Sequence, residues 1–436
     1  MAETIRILTT SQRDFARQFS AIRERSASAS PAVEAQARKI VEAVRRHGDR
    51  ALLDFTNRFD GVRRSARQLR VSEAEIDAAT RTLSPAALRA LRTAARRITA
   101  FHRHQRQASW RYRDGSGFTL GQQITPLRRV GLYVPGGHGS YPSSVLMNAI
   151  PARVAGVPEV IMVSPVGAGG DNPAVLAAAR IGGVDAIYRI GGAQAVAALA
   201  YGTATVPAVD KIVGPGNAWV QAAKRQVYGV VDIDKIAGPS EVVVIADTST
   251  PAAFAAADLL AQAEHGSGDE CAVLLTPSKR VAEAVRAAIA LQLQALPRRA
   301  AIVRVLRRRG ALVVVKNLNE AIELAEQIAP EHLELLVADA ARWVPRIRNA
   351  GAVFAGIDAP AALGDYAAGP NHVLPTGGTA RFSSPLGVYD FVKRTSVISA
   401  GKRALRMLAP AITTLAELEG YQAHAAAVRV RLNGGR

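Results

Sequence analysis

The amino-acid sequence predicts an α/β protein built from two Rossmann-like, doubly wound domains, with small helical segments at the N- and C-terminal ends. From Arg129 onward, short apolar runs alternate with helical stretches, and the alternation starts again near Ile233. Repeated strand, loop and helix units are typical of parallel sheets covered by helices on both faces. The chain has 436 residues, which is enough to bury two such cores.

Composition limits the classes of protein to consider. The single cysteine, Cys271, excludes an intrachain disulfide and suits a reducing cytoplasm, where we expect the protein to reside. We expect no membrane segment, because no uninterrupted apolar run reaches about 18 residues and the N-terminus lacks a signal-peptide pattern.

The net charge of +19 makes nucleic acid the first macromolecular partner to consider. The arginines are spread along helices, however, and aromatic residues make up only 5% of the chain. The interleaved basic and aromatic pattern of RNA-binding sheets does not occur. We therefore predict a solvated basic surface and no specific nucleic-acid partner.

Residues 1 to about 128 are predicted to be helical throughout. Ser72 and Glu75 form a capping-box pattern, and Ser84 followed by Pro85 is typical of a helix start. This region contains sequence patterns of packed helices and no residues with an obvious catalytic or binding role.

The first alternating region is predicted to bind a nucleotide. Ligands of parallel sheets bind outside the carboxyl ends of the strands, where this region places Tyr133, Gln194 and Asn217. Small loop residues let a backbone approach a phosphate, and helix N-termini favour anions. No Gly-x-Gly-x-x-Gly or Walker sequence occurs, so glycines that only make tight turns remain an alternative. The strands are predicted at residues 130–135, 158–165, 185–190 and 211–216, each followed by a helix.

The second alternating region carries groups that suit metal binding and acid/base chemistry. A Gly- and Pro-rich loop at residues 364–376 is long enough to suggest a function, and a helical tail follows it. The strands of this region are predicted at residues 242–246, 271–275, 311–315, 333–337 and 352–354.

Gln262 and His265 lie three residues apart in a helix predicted over residues 251–266, so their side chains share one helix face. Zinc accepts histidine nitrogen and oxygen ligands. Asp365 and His424 would add a second oxygen and a second imidazole from distant segments. A histidine that caps the last carbonyls of its own helix is the alternative, and the residues alone leave both interpretations open.

Glu331 and His332 are the natural acid/base pair of the chain. Successive side chains of a strand point in opposite directions, so both can serve one site only if the backbone is irregular, which Pro330 favours. Cys271 lies in an apolar strand and is interpreted as a packed, inert thiol. An aldehyde-oxidising step is therefore predicted to use activated water rather than a thiolate.

Taken together, these motifs resemble the histidinol dehydrogenase family over roughly residues 125–430. So many motifs in the same order make the match specific. The matching stretches are Val130-Gly-Leu-Tyr-Val-Pro-Gly-Gly, Gly191-Gly-Ala-Gln-Ala, Gly214-Pro-Gly-Asn, Ala237-Gly-Pro-Ser-Glu, Asp258-Leu-Leu-Ala-Gln-Ala-Glu-His-Gly, Ala329-Pro-Glu-His-Leu-Glu, Gly364-Asp-Tyr, Gly369-Pro-Asn-His-Val-Leu-Pro-Thr, Phe382-Ser-Ser-Pro-Leu-Gly-Val and the pair Glu419 and His424.

The resemblance implies an NAD-dependent alcohol and aldehyde dehydrogenase with one Zn2+ ion per subunit. It implies that Glu331 and His332 are the acid/base residues. The implied zinc ligands are Gln262, His265, Asp365 and His424. The implied NAD contacts are Tyr133, Gln194 and Asn217. The implied substrate contacts are Ser240, Gln262, His265, His332, Asp365, Glu419 and His424.

The implied reaction is the four-electron oxidation of L-histidinol through L-histidinal to L-histidine, the last step of histidine biosynthesis, with reduction of two NAD. His332 would take the alcohol proton and Glu331 would activate the attacking water, while zinc would mainly orient the substrate. The resemblance also implies a homodimer with crossing C-terminal tails, so that Glu419 and His424 complete the partner's site.

The implied domain division groups residues 27–130 with 239–383 in a first α/β domain that carries the zinc and acid/base residues. Residues 131–238 form a second α/β domain that contacts NAD. Residues 1–26 are predicted to be an N-terminal helical segment, and residues 384–436 a helical tail.

Ala361 departs from the family pattern, which usually has a glutamate at this position. The intact segments at residues 369–372 and 382–385 favour histidinol as the substrate. A related dehydrogenase of another small polar alcohol is the alternative. A basic nucleic-acid-binding protein is a more distant alternative, which predicts steeply salt-dependent binding and no need for zinc.

Overall fold

The computed structural model describes residues 4–23, 30–136, 141–265 and 268–434, and it confirms the predicted α/β class. Two parallel sheets form separate cores, and a small antiparallel sheet connects the C-terminal part to residues 110–126. Within these ranges, every helix is too short or too polar to cross a membrane.

The N-terminal part is not helical throughout, so the prediction for residues 1 to about 128 is wrong at three strands. The first strand has only four residues, which is too short to show a periodicity, and the next two form a hairpin with an exposed first strand. The elements are β1 (Arg6–Thr9), α1 (Phe15–Arg23), α2 (Pro31–His47), α3 (Asp49–Asp60), α4 (Ala66–Leu69), α5 (Glu73–Thr82), α6 (Pro85–Arg103), β2 (Trp110–Arg113) and β3 (Phe118–Pro126).

Both predicted helix starts in this part are confirmed. The Ser72 hydroxyl accepts a hydrogen bond from the amide of Glu75, whose carboxylate in turn accepts from the Ser72 amide at 2.7 Å. Ser84 caps α6 by accepting from the amide of Ala87, and Pro85 occupies the first turn.

The first parallel sheet has five strands in the order β6-β5-β4-β7-β8, as expected for a doubly wound domain. Val160 and Met162 of β5 enter the core on one face, whereas Ile161 and Val163 enter the core on the other. The elements are β4 (Arg129–Tyr133), α7 (Pro142–Ala155), β5 (Glu159–Val163), α8 (Pro173–Gly182), β6 (Ala186–Tyr188), α9 (Gly192–Tyr201), β7 (Lys211–Val213), α10 (Ala218–Val227) and β8 (Asp232–Ile233).

The second parallel sheet has six strands in the order β1-β11-β10-β9-β12-β13, so the first strand of the chain forms one edge of it. The predicted end of the Gln262 helix at residue 266 lies outside the described residues. The elements are β9 (Glu241–Ala246), α11 (Ala252–Ala263), β10 (Cys271–Thr276), α12 (Lys279–Gln292), α13 (Arg299–Arg309), β11 (Gly310–Val314), α14 (Leu318–Ile328), β12 (His332–Leu336), α15 (Ala340–Trp343), β13 (Ala352–Ala355) and α16 (Ala361–Tyr366).

The helices between residues 31 and 103 pack on the five-stranded sheet rather than on the six-stranded one. Ile40 and Leu52 share a core with Tyr133, and Ile98 shares the opposite core with Leu132. The predicted division of the chain into domains stays a prediction, but the packing partner of these helices is the sheet predicted to contact NAD.

The C-terminal part is not purely helical either. The predicted helical tail from residue 384 contains a nine-residue strand that pairs antiparallel with β3 along its whole length. The strand was missed because its side chains are mostly exposed, so it lacks an apolar run. The elements are β14 (Val392–Ala400), α17 (Lys402–Leu418) and α18 (Gln422–Leu432). Short 3-10 helices lie at Leu293–Ala295, Val344–Arg346, Thr379–Arg381 and Val388–Phe391.

Candidate active site

A cavity of about 700 Å³ lies between the two parallel sheets, and many of the residues predicted to act in catalysis or binding line it. The five-stranded sheet contributes loops that follow its strands, including Gly214 and Asn217. The six-stranded sheet contributes residues that precede its strands, including Ser240 and Glu331. The cavity therefore lies at the carboxyl ends of one sheet and at the amino ends of the other.

Glu331 and His332 both line this cavity, although they are neighbours at a strand start. The chain before them is irregular, as predicted, because Ala329 has a left-handed backbone with φ of 48°. Glu331 and Glu241 are held side by side: the amide of Glu241 donates to Glu331 Oε2 at 3.2 Å, and the amide of Glu331 donates to Glu241 Oε2 at 3.3 Å.

The imidazole of His332 is buried, and a polar group faces each of its two ring nitrogens. Nδ1 lies 3.2 Å from the carbonyl oxygen of Glu241, and Nε2 lies 3.4 Å from Asp365 Oδ1. Burial by itself would lower the pKa of His332, but the carboxylates of Glu331 and Asp365 outweigh it and raise this pKa to about 9. Nδ1 therefore faces the backbone, and Nε2 faces the carboxylate of Asp365.

Asp365 lies near the end of the short helix α16, and its backbone is tied to a second histidine. His372 Nδ1 donates to the Asp365 carbonyl oxygen at 2.7 Å, and its Nε2 lies 3.3 Å from the Ser144 hydroxyl. Burial would raise the pKa of Asp365, but the neighbouring His332, His372 and His265 lower it below its ordinary value. Asp365 is thus a carboxylate surrounded by imidazoles.

The structure brings two of the four predicted zinc ligands, His265 and Asp365, to this cavity. Gln262 does not line it, but it is buried on α11 three residues before His265. An amide, an imidazole and a carboxylate suit the donor preferences of zinc. In the described part of the chain, no three His, Cys, Asp or Glu side chains form a metal-binding group by themselves.

Glu419 and His424 are not brought to this cavity within the single chain. Both are exposed, and neither is among the residues that line it. His424 contacts Tyr421 of the same tail, with 5.2 Å between the ring centroids. The site of one chain therefore lacks the fourth predicted ligand.

Two of the predicted NAD contacts are buried at the ends of strands of the five-stranded sheet. The Tyr133 hydroxyl accepts a hydrogen bond from the Gly192 amide at 3.0 Å, and burial raises the pKa of Tyr133 to about 12. Gln194 follows in the first turn of α9, and its side-chain oxygen has no donor among the described residues. Tyr133 therefore holds the Gly191-Gly192 turn in place through this hydrogen bond.

Asn217 lines the cavity but already has a structural role. Its side-chain oxygen caps α10 by accepting from the amides of Trp219 and Val220. The turn before it requires glycine, because a Cβ at Gly214 would lie 2.1 Å from the carbonyl oxygen of Tyr133. The alternative prediction, that these glycines make tight turns, is thus supported at Gly214. A nucleotide contact at the same turn is compatible with it.

Sequence reasoning missed the roles of Glu241 and of Lys235, which lines the cavity. Glu241 holds Glu331 and also accepts from the amide of Gly377 at 2.7 Å. Lys235 Nζ donates to the carbonyl oxygens of Val373 and Ser384, both at 2.9 Å. A charged residue next to an apolar strand was the available signal, since such a group is rarely buried without partners.

Cys271 is fully buried in β10 and does not line the cavity, which confirms the prediction of a packed thiol. The arrangement around Glu331 and His332 can move protons and activate water, but it offers no thiol nucleophile.

Comparison with known proteins gives a consistent result. The family model described as histidinol dehydrogenase matches residues 23–432. A histidinol dehydrogenase from Rhizobium meliloti (strain 1021) is 53% identical over 435 residues, covering 100% of this chain and 99% of the relative. One from Aromatoleum aromaticum is 52% identical and covers 99% of both chains. A crystal structure of histidinol dehydrogenase from Elizabethkingia anophelis is similar with a TM-score of 0.94 at 33% identity, covering 100% of this chain and 99% of that one.

Proposed function

The chain belongs to the histidinol dehydrogenase family, and we propose that it oxidises L-histidinol through L-histidinal to L-histidine with reduction of two NAD. The observation that carries the proposal is the paired Glu331 and His332 at the wall of a cavity that Asp365 and His265 also line. A proton acceptor and a water-activating carboxylate at one cavity are what successive alcohol and aldehyde oxidations need.

His332 is proposed to take the proton of the substrate hydroxyl. The raised pKa of His332, about 9, means that the neutral ring needed as a base forms as the pH rises toward that value. In that neutral ring the proton stays on Nδ1, which faces the Glu241 carbonyl oxygen at 3.2 Å, and Nε2 carries the free lone pair. Buried surroundings keep this nitrogen away from bulk water, which strengthens its electrostatic interactions with a bound substrate.

Glu331 is proposed to activate the water that adds to the aldehyde. Its carboxylate is buried and held by the Glu241 amide, so it points at a defined place in the cavity wall. The buried Cys271 cannot form a covalent intermediate at this cavity, which supports a route through the aldehyde hydrate.

Zinc is proposed to be held by Gln262, His265, Asp365 and the partner's His424, and when bound it supplies a template that orients the substrate. Gln262 is buried three residues before His265 at the end of α11, which supports placing both in this set. Substrate contacts are proposed for the same residues together with Ser240, His332 and Glu419.

NAD is proposed to bind along the five-stranded sheet near Tyr133, Gln194 and Asn217. A second cavity of about 500 Å³ lies at the carboxyl ends of β4, β5 and β6, and Pro135 lines both cavities. A dinucleotide in this position would bring its hydride acceptor toward the cavity that holds His332.

A homodimer with exchanged tails is proposed as the working form in the cytoplasm. β14, α17 and α18 expose many large apolar side chains, among them Ile398, Met407, Leu415, Leu418 and Tyr421. A cluster of this kind on a protein surface is typical of a subunit interface. Glu419 and His424 lie on this exposed tail and would complete the partner's site.

The test is NADH formation by the purified protein with L-histidinol and NAD, before and after treatment with a chelator. Two NADH per L-histidinol, lost on chelation and restored by zinc, support the proposal. If zinc-loaded protein makes no NADH from L-histidinol but reduces NAD with another small polar amino alcohol, the substrate assignment is wrong and the dehydrogenase chemistry stands.

A further inference from the structure

A pair of buried carboxyl groups lies behind the candidate active site, and the proposed mechanism does not use it. Glu334 follows His332 by two residues in β12, and its side chain is 0% exposed. Its Oε1 accepts a hydrogen bond from the amide of Ala361 at 2.7 Å. Its Oε2 has no donor among the described residues. The carboxyl group of Asp258 in α11 lies beside that of Glu334, close enough for a hydrogen bond when one of the two carries a proton.

Two carboxylates cannot both be charged in such a place. Burial, followed by the charge of Asp258, raises the pKa of Glu334 to about 9, and burial also raises the pKa of Asp258. The titratable groups that face Glu334 are Asp258 and His332. A proton on Oε2 would satisfy the otherwise unpartnered oxygen by donating to Asp258.

We propose that Asp258 and Glu334 share one proton and act as positioning residues that hold together the three segments of the zinc and acid/base site. The inference rests on the proposed function, because the segments matter through the ligands that they carry. The three segments are α11 with Gln262, β12 with His332, and α16 with Asp365.

Each segment is tied to the pair close to its functional residue. Asp258 lies four residues before Gln262, so both are on one face of α11. Glu334 and His332 project from the same face of β12. Ala361 is the first residue of α16 and donates its amide to Glu334, four residues before Asp365. One carboxyl pair thus connects a helix, a strand and a second helix.

The sharpest test is Glu334→Gln, because an amide keeps an acceptor for Ala361 and a donor for Asp258 without a titrating proton. Glu334→Ala removes both contacts. Glu323→Gln and Glu323→Ala are matched controls, since Glu323 is an exposed glutamate of α14.

Infrared spectroscopy of the metal-free protein tests the shared proton without any need for zinc. We expect the carbonyl band of a protonated carboxylic acid at neutral pH, lost in Glu334→Gln and retained in Glu323→Gln. No such band in the unsubstituted protein would overturn the proposal, whatever the fate of the zinc assignment.

The pH dependence of thermal unfolding gives a second readout on the metal-free protein. The pKa of Glu334 is raised from 4.5 to about 9 by folding, so its contribution to stability is complete below the lower value and lost as the pH rises through the higher one. We expect the melting temperature to fall less over this range in Glu334→Gln than in the Glu323→Gln control. Equal slopes would contradict a buried proton on Glu334.

Zinc affinity, measured by competition with a chelator, tests the positioning role. Glu334→Ala is expected to bind zinc about 10–100-fold more weakly, the range for lost outer-shell support, while Glu334→Gln stays within about threefold of the unsubstituted protein. If Glu334→Gln loses as much affinity as Glu334→Ala, a charged carboxylate is required and the shared proton is wrong. If Glu334→Ala keeps its affinity, the positioning role is wrong.

Discussion

The buried ion pair between Lys224 and Asp234 leads to a prediction about the free energy of unfolding. The side chain of Lys224 is 0% exposed and that of Asp234 is 1% exposed. Lys224→Met keeps most of the volume and removes the charge, which leaves the Asp234 carboxylate buried without its counter-ion. Breaking such a pair costs about 3–5 kcal/mol of unfolding free energy. Because Asp234 keeps hydrogen bonds from the amides of Gly214 and Lys235, we expect a loss near the lower end.

The assay is denaturant-induced unfolding of Lys224→Met beside Arg46→Met. Arg46 pairs with Glu42 at 3.6 Å on the surface, and the two side chains are 71% and 40% exposed. The control is expected to change the unfolding free energy by less than about 1 kcal/mol. If Lys224→Met also stays within about 1 kcal/mol, burial does not determine the contribution of this pair and the reasoning is refuted.

The same pair predicts an effect on NAD binding. Lys224 Nζ donates to the Gly214 carbonyl oxygen at 3.1 Å, and Asp234 accepts from the Gly214 amide at 2.8 Å, so the pair holds the turn before Asn217. Lys224→Met is therefore expected to raise KM for NAD more than KM for L-histidinol, measured under conditions where the variant is folded. An unchanged KM for NAD would mean that this turn does not contact the nucleotide.

Three further predictions follow from the site and the tail. Glu331→Ala and His424→Ala chains are each expected to be inactive alone. After exchange of subunits, a mixture of the two is expected to recover about a quarter of full activity, because half of the dimers would be mixed and each mixed dimer would contain one intact shared site. No recovery would rule out exchanged tails. Tyr133→Phe leaves the Gly192 amide without its acceptor, which is expected to cost about 1–3 kcal/mol of unfolding free energy and to raise KM for NAD, and unchanged stability and KM would contradict that role. Cys271→Ala is expected to retain kcat for both oxidation steps, because this buried thiol does not line the cavity, and a selective loss of aldehyde oxidation would restore the thiolate route.

The alternating regions were predictable because their signals are local. Apolar runs bounded by Gly and Pro placed β4, β5, β9 and β10 within a few residues of the observed strands. The strand Val392–Ala400 could not be found this way, because it is defined by pairing with β3 and not by its own side chains. Long-range pairing leaves no periodic trace in a mostly exposed strand.

The candidate site was predictable to a similar extent. Glu331, His332, Asp365 and His265 were identified from the sequence and lie at one cavity. Glu241 was not, because its contact with Glu331 joins residues 90 positions apart and depends on two parallel strands beginning side by side. The position of His424 could not be predicted from the local sequence pattern either, because the zinc site that it is proposed to complete belongs to the partner subunit.

The cavity between opposite ends of two sheets has a consequence for motion. Glu331 and His332 directly precede Leu333 in the core of the six-stranded sheet, whereas Asn217 begins the helix whose Val220 packs in the core of the five-stranded sheet. A small rotation of one core relative to the other would widen or narrow the gap between substrate and nucleotide, and it would change contacts that cross the gap, such as the one between His372 Nε2 and the Ser144 hydroxyl. Two successive hydride transfers require the reduced nucleotide to leave while the aldehyde stays bound. With the two ligands on different sheets, the five-stranded sheet could release the nucleotide while the six-stranded sheet retains the aldehyde.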